Sequence, residues 1–214
     1  MQLISVNLSD AKTLTIGKKS QLTGIFKEAC DTSMHVGPLG VTGDTIINTK
    51  FHGGLDQAIY CYHLEDYQWW EEKLDQALPP GTFGENFTLQ GLANIDFRVG
   101  DRLKIKNVVL ELTSPRVPCA TFAARMGDTT FLKEFVAANR SGAYARVIQA
   151  GNVSRGNAVD FIPNRENYPT LKDVFHHRHS KQPDPDVLRQ AIASPISEKL
   201  RPNLEERLDS LKPR

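Results

Sequence analysis

The chain has 214 residues, 40% of them hydrophobic, which is enough to bury one sizeable core with a small appendage. Its 26 basic and 25 acidic residues nearly balance, so neither nucleic acid nor an anionic membrane is expected as a partner. No apolar stretch approaches the roughly 20 residues of a membrane span. The first ten residues lack the pattern of a signal peptide, and we therefore expect a cytoplasmic location.

Short strands are predicted along the first three quarters of the chain, where apolar and polar residues alternate. The first strand lies within residues 1–10, with Ile4, Val6 and Leu8 on one face. The others are predicted at residues 13–16, 24–27, 44–48, 57–62, 86–89, 102–105, 108–112, 143–149 and 159–162. Parallel pairing would need a crossover helix each time, so many strands with few helices favour an antiparallel barrel or sandwich.

Helical periodicity interrupts this pattern at residues 63–78 and 128–138 and dominates after Pro163. The polar, proline-dotted tail predicts three short helices, at residues 171–179, 185–193 and 197–211. Thr170 with Asp173 resembles a capping box, and Asp184 followed by Pro185 is typical of a helix start. We therefore predict a barrel domain over residues 1–163 and a small three-helix domain over residues 164–214.

The most unusual segment runs from Ser114 to Cys119 and carries two prolines and Arg116. It joins the predicted strand 108–112 to a helix-like stretch at residues 120–126. A cysteine at a helix N-terminus near an arginine has a lowered pKa, and its thiolate is a nucleophile or a soft metal ligand. The alternative is a buried, inert cysteine, which is the interpretation we give to Cys30 and Cys61.

A second candidate segment contains Lys50, His52, Gly53 and Gly54. Two adjacent glycines allow backbone amides to approach an anion closely, and the lysine and histidine add positive charge or donors. The alternative is a tight turn with solvated neighbours.

Three further side chains are candidates for ligand contacts. Glu85 and Asn86 form a pair that can recognise amide and amine edges such as those of a pterin, or else a simple turn. Arg146 shares one face of the strand 143–149 with Tyr144. Because a buried arginine needs an anionic partner, either a ligand phosphate or a carboxylate of the chain is expected beside it.

These segments, in this order, resemble the MOSC family, named for the C-terminal domain of molybdenum cofactor sulfurase. The matching segments are residues 37–44, 52–56, 83–86, 100–101, 114–119, 142–146 and 151–153. The tail resembles the small three-helix domain of the bacterial YiiM-like branch. The chain departs from its close relatives after Cys119, where Ala120, Thr121 and Phe122 stand in place of an expected Tyr-Lys pair.

The resemblance implies a mainly β fold, a closed or partly open antiparallel barrel with inserted helices, and a cleft for a molybdenum–molybdopterin cofactor. It implies that Cys119 is the catalytic residue and the molybdenum ligand. The residues implied in cofactor binding are Arg116, Lys50, His52, Gly53, Gly54, Glu85, Asn86 and Arg146. Pyridoxal phosphate is a further ligand that the family allows.

The implied activity is reduction of N-hydroxylated compounds such as 6-hydroxylaminopurine and amidoximes, with electrons from a separate flavin or iron–sulfur reductase. Three alternatives stay open: a sulfur carrier with a persulfide on Cys119, a non-catalytic cofactor-binding module, and a cysteine hydrolase. The last requires a histidine base beside Cys119, and the sequence cannot place His52 there. The sequence also leaves open whether the chain forms a homodimer.

Overall fold

The computed structural model describes residues 1–91 and 95–211. Within these ranges the strands are β1 (Gln2–Leu8), β2 (Lys12–Ile16), β3 (Lys19–Thr23), β4 (Glu28–Cys30), β5 (Met34–Gly37), β6 (Gly40–Val41), β7 (Ile59–His63), β8 (Phe87–Gln90), β9 (Arg102–Ile105), β10 (Val108–Ser114), β11 (Ala143–Gln149), β12 (Gly151–Val153) and β13 (Asp160–Ile162). The helices are α1 (Leu64–Leu74), α2 (Ala120–Met126), α3 (Phe131–Ala138), α4 (Leu171–His179), α5 (Pro185–Ala193) and α6 (Arg201–Asp209), with a 3-10 helix at Leu55–Gln57.

The main sheet has eight strands in the order β13-β9-β10-β11-β7-β8-β1-β4. Every neighbouring pair is antiparallel except β7 with β8, which are parallel and are joined through α1 as their crossover helix. Among the described residues no strand pairing joins β13 to β4, so the sheet is curved but open. The prediction of a mainly β, partly open antiparallel barrel with inserted helices is confirmed, with this one parallel pair added.

Two strand predictions are wrong, because residues 24–27 and 44–48 form no strand. The two segments cross too closely for a ladder: a Cβ added to Gly24 would lie 1.9 Å from the carbonyl oxygen of Thr45. Both segments instead form part of the wall of a cavity. The first predicted helix is also shorter than expected, since it ends at Asp75, which adopts a left-handed conformation with φ 50°.

The core has two parts. One apolar cluster joins the inner side chains of the sheet to those of the tail helices, including Leu171, Val174, Leu188 and Leu204. An aromatic cluster packs α1, α2 and α3 together, and its members include Tyr62, Trp70, Phe83, Phe122 and Phe135. Three tail helices and the capping box of Thr170 are found as predicted, but the third helix begins at Arg201 and not at Ser197, because residues 198–200 form a turn. The division into two domains stays a prediction.

In the part of the chain that the structure describes, no helix combines the length and apolar character needed to cross a bilayer.

Candidate active site around Cys119

A cavity of about 470 Å³ opens beside Cys119. Its walls come from β3 and the chain that follows it, from the loop of residues 44–53, and from the first turn of α2. Of the site residues predicted from the sequence, six line it: Lys50, His52, Gly53, Asn86, Arg116 and Cys119. Their convergence from separate parts of the chain makes this cavity the candidate site.

Cys119 lies at the start of α2, where the sequence predicts it. Its extended backbone, with φ −135° and ψ 168°, precedes the helix, and its carbonyl accepts the N–H of Phe122 at 2.9 Å. Pro118 restricts the approach to this position. The cysteine is half-buried, lines the cavity and packs against the edge of the aromatic cluster.

The environment of Cys119 favours the thiolate. Burial by itself raises the pKa of the thiol, but a hydrogen bond with His52, the charge of Arg116 and the N–H of Phe122 outweigh it. Together they lower the pKa from its ordinary value of 9.0 to about 6. Cys119 is therefore largely ionised at neutral pH, as a metal ligand or a nucleophile requires.

Arg116 supplies the fixed positive charge of the site. Its side chain is only 4% exposed, and its guanidinium lies 4.9 Å from the ring centre of Tyr60 and 4.4 Å from that of Phe122. It donates a hydrogen bond to the carbonyl of Phe83. These aromatic and backbone contacts hold the arginine rigidly beside the thiolate.

A buried ion pair that the sequence analysis missed lies at the base of the cavity. Lys27 binds Asp44, and their side chains are only 7% and 5% exposed. Asp44 also accepts the amide of Asn86 at 2.8 Å and the backbone N–H of Ser9 at 3.1 Å. Lys27 was not recognised from the sequence, because its segment was predicted as an ordinary strand. A lysine at an otherwise apolar position of a strand is nevertheless a signal of a buried charge.

Asn86 lines the cavity, but its amide is already occupied. Its Oδ1 accepts the N–H of Tyr60 at 3.2 Å, and its Nδ2 donates to Asp44 and to the carbonyl of Asn7. Asn86 therefore shapes the wall and has little capacity left to recognise a ligand.

Glu85 lies outside the cavity lining and is fully buried below it. Burial raises the pKa of this carboxyl, although Oε1 accepts hydrogen bonds from the Tyr67 hydroxyl at 2.6 Å, Gly81 N–H at 2.7 Å and Thr88 hydroxyl at 2.8 Å. These bonds anchor the turn at residues 81–85 and give Glu85 a structural position.

Arg146 and Gly54 also lie outside the cavity lining. Arg146 forms ion pairs with Asp56 at 3.1 Å and Glu111 at 3.6 Å, and it donates to the carbonyl of Pro195 at 2.8 Å. The sequence left open whether Arg146 pairs with a ligand phosphate or with a carboxylate of the chain, and the structure shows carboxylate partners. This network fastens the tail to the sheet.

Gln57 lines the cavity and has no counterpart in the sequence predictions. Its Oε1 is buried and finds no hydrogen-bond partner among the described residues. An unpaired buried acceptor is costly, so an amide or amine donor of a ligand is its natural complement. Gln57 ends the 3-10 helix before β7, and nothing in its local sequence distinguishes it from a strand residue.

The comparisons with known proteins agree with this architecture. The chain is 30% identical over 183 residues to the uncharacterized protein YflK of Bacillus subtilis, covering 80% of this chain and 83% of that protein. It is 25% identical over 206 residues to a protein of Gibberella moniliformis named Reductase, covering 90% of this chain but only 36% of that protein.

Among solved structures, YiiM from Geobacillus stearothermophilus superposes with a TM-score of 0.77 at 25% identity, covering 97% of this chain and 98% of that one. The family model described as the MOSC domain matches residues 48–160, which carry the loop of His52, the buried turn at Glu85 and the Cys119 segment. Because that match spans just over half of the sequence, the chain belongs to the MOSC domain family.

Proposed function

We propose that this protein binds a molybdenum–molybdopterin cofactor in the cavity, with Cys119 as the molybdenum ligand, and reduces N-hydroxylated compounds. The observation that carries the proposal is the thiolate of Cys119, with a pKa of about 6, facing a cavity of about 470 Å³ beside Arg116 and His52. A cavity of this volume suits a small molecule or cofactor, and a thiolate is a soft ligand suited to a transition metal.

The residues around the cavity fit such a cofactor. Lys50, His52 and Arg116 supply positive charge or donors for a phosphate, whereas the charge of Lys27 is already balanced by Asp44. The unpaired Oε1 of Gln57 offers an acceptor for a pterin N–H. The donor set thus matches an anionic, nitrogen-rich ligand held next to a thiolate.

When bound, the molybdenum centre supplies two-electron chemistry, in which an N–OH compound, two electrons and two protons give the N–H compound and water. The chain itself favours the thiolate through His52 and fixes a positive charge beside it through Arg116. Its aromatic wall, in which the tilted rings of Tyr60 and Tyr144 have centroids 5.0 Å apart, limits the access of water on one side.

The electrons are proposed to come from a separate flavin or iron–sulfur reductase. The relative named Reductase supports this arrangement in one respect. The chain matches only 36% of its length, so that relative carries additional protein beside the part that resembles this chain.

One observation favours a second candidate function. His52 lines the same cavity as Cys119 and makes the largest contribution to lowering the pKa of its thiol, and a histidine beside the cysteine is what a cysteine hydrolase needs. The same thiolate would also suit a sulfur carrier that bears a persulfide. Both alternatives predict a reactive Cys119 without a requirement for metal.

The test is the molybdenum and pterin content per chain of the wild type and of Cys119→Ala, both purified from a host that makes abundant cofactor. We expect near-stoichiometric molybdenum in the wild type and its loss in Cys119→Ala. Cys30→Ala is the matched control, because Cys30 is a half-buried cysteine outside the cavity lining and should leave the metal content unchanged.

Absence of both metal and pterin from the wild type would contradict the proposal. Turnover of chromogenic esters or uptake of sulfur from a desulfurase by that metal-free protein would then support the hydrolase or the carrier, respectively. If the metal is present, reduction of 6-hydroxylaminopurine and of an amidoxime with a chemical electron donor tests the activity itself.

A further inference from the structure

The segment between α5 and α6 reaches from the tail to the cavity loop. The N–H of Ser197 donates to the carbonyl of Thr113 at 3.2 Å, and the N–H of Glu198 donates to Asp56 Oδ2 at 2.9 Å. With the bond from Arg146 to Pro195, these contacts fasten the segment to β10, β11 and the 3-10 helix. Lys199, the next residue, is thereby fixed within reach of the loop that carries His52.

Lys199 binds that loop through its ammonium group. Its Nζ donates to the carbonyls of Thr49 at 2.8 Å, His52 at 3.0 Å and Gly53 at 2.9 Å. An ammonium group has three donors, and here all three are directed at one loop. Charge-assisted hydrogen bonds of this kind are about twice as strong as neutral ones.

The loop presents these carbonyls together because of its glycines. Gly53 and Gly54 have φ values of 65° and 79°, a conformation that other residues rarely adopt. Within the loop, the N–H of Phe51 and that of His52 both donate to the carbonyl of Asn48, at 3.3 and 3.0 Å. Converging carbonyl dipoles repel one another, and the ammonium of Lys199 relieves that repulsion.

We infer that Lys199 is a positioning residue: it holds the His52 loop in place and so keeps His52 in the wall of the cavity that Cys119 also lines. The inference deepens the proposed function, because the thiolate that His52 favours is the proposed metal ligand. It also assigns a role to the tail, whose Lys199 binds the backbone of a loop that lines the cavity.

The experiment uses the full chain without added cofactor and compares Lys199→Met with the wild type. Methionine keeps the length and apolar packing of the stem but removes the ammonium group. Hydrogen exchange of the amides of Phe51 and His52, followed by mass spectrometry, reports the loop directly. We expect exchange there to become about tenfold faster while amides of the main sheet stay unchanged.

A second readout follows the consequence at the sulfur. The alkylation rate of Cys119 at pH 7, measured on its own peptide, should fall several-fold in Lys199→Met, towards the rate in His52→Ala. Repeating the measurement at about 1 M salt removes long-range effects of the lost charge, because the screening length there is about 3 Å. Lys199→Arg, which keeps the charge and donors, should restore much of the wild-type behaviour.

Lys172→Met is the matched control, since Lys172 is also a tail lysine but pairs with the exposed Asp96. Unchanged amide exchange in Lys199→Met would overturn the inference, as would faster exchange with an unchanged alkylation rate. Neither readout needs metal, so the inference can hold even if the wild type carries no molybdenum, and it can fail while the molybdenum assignment stands.

Discussion

His52 and Cys119 line the same cavity, although they come from distant parts of the chain, and His52 makes the largest contribution to lowering the pKa of the Cys119 thiol. His52 belongs to a glycine loop, and Cys119 is the first residue before α2. Arg116, which is only 4% exposed, adds positive charge from the buried side. Four predictions follow from this arrangement and from the packing that supports it.

We expect Cys119 to react with iodoacetamide with a midpoint near pH 6, well below that of an ordinary thiol. Because the folded-state pKa is lowered, the thiolate stabilises the native fold fully above about pH 9, and this stabilisation is lost as the pH falls towards 6. His52→Ala should raise the midpoint by about one unit. Peptide-level mass spectrometry across pH measures it.

Cys61 provides the internal control, since it is fully buried and burial raises its pKa, so it should stay unlabelled in the native protein. A midpoint for Cys119 close to the ordinary value of 9.0 in the wild type would contradict the assignment.

Lys27→Met should destabilise the protein by about 3 kcal/mol, because it leaves Asp44 buried without its cation. Urea unfolding of this variant, of Asp44→Asn and of the double variant gives the coupling between the two side chains. We expect the double variant to cost clearly less than the sum of the single ones.

Lys12 and Glu28 offer the matched exposed pair, with side chains that are 46% and 75% accessible. Lys12→Met should change the free energy of unfolding by less than about 1 kcal/mol. Equal effects of the two lysine substitutions would show that Lys27 is not buried as described.

Gly142→Ala should destabilise the protein by about 3 kcal/mol. Its φ is 62°, and an added Cβ would lie 2.5 Å from the carbonyl oxygen of Cys61, next to the rings of Tyr60 and Tyr62. Thermal or urea unfolding measures the loss. The cause is a clash between the residue that precedes β11 and the backbone of β7, which no side-chain rotation relieves.

Gly127→Ala is the matched control, because it carries the conformational cost of a positive φ without the steric clash expected at Gly142. Gly127 has φ 71° but open space where a Cβ would stand, so only the backbone term of about 1 kcal/mol is expected. A loss at Gly127 as large as that at Gly142 would refute the clash.

Gln57→Leu should weaken pterin retention about tenfold without lowering the free energy of unfolding, because it removes an acceptor unpaired in the described structure. Pterin content after dialysis, measured by fluorescence, tests this consequence of the proposed function. Gln76→Leu, at an exposed position outside the cavity lining, is the control. Full retention by Gln57→Leu would exclude Gln57 as a ligand contact.

Local patterns were sufficient for much of the fold. Alternation identified β1, β10 and β11, and the caps at Thr170 and Asp184 identified the starts of α4 and α5. The strand predictions at residues 24–27 and 44–48 were wrong. Both segments have the composition of a strand, but they cross at Gly24 instead of pairing. Alternation indicates which side of a segment is buried, but it does not indicate which other segment packs against that side.

The sequence by itself determined the fold class, the MOSC resemblance and the place of Cys119 at a helix start, because each depends on residues that are neighbours in the chain. Only the tertiary structure decided which charged residues face the cavity. Arg116 lies in its wall, whereas Arg146 is paired with Asp56 on the far side of the loop. The structure also identified Lys27, Gln57 and Lys199. Lys27 and Lys199 bind residues that are not their neighbours in the chain, and Gln57 lines a cavity built from separate segments. No local period in the sequence encodes how these segments meet.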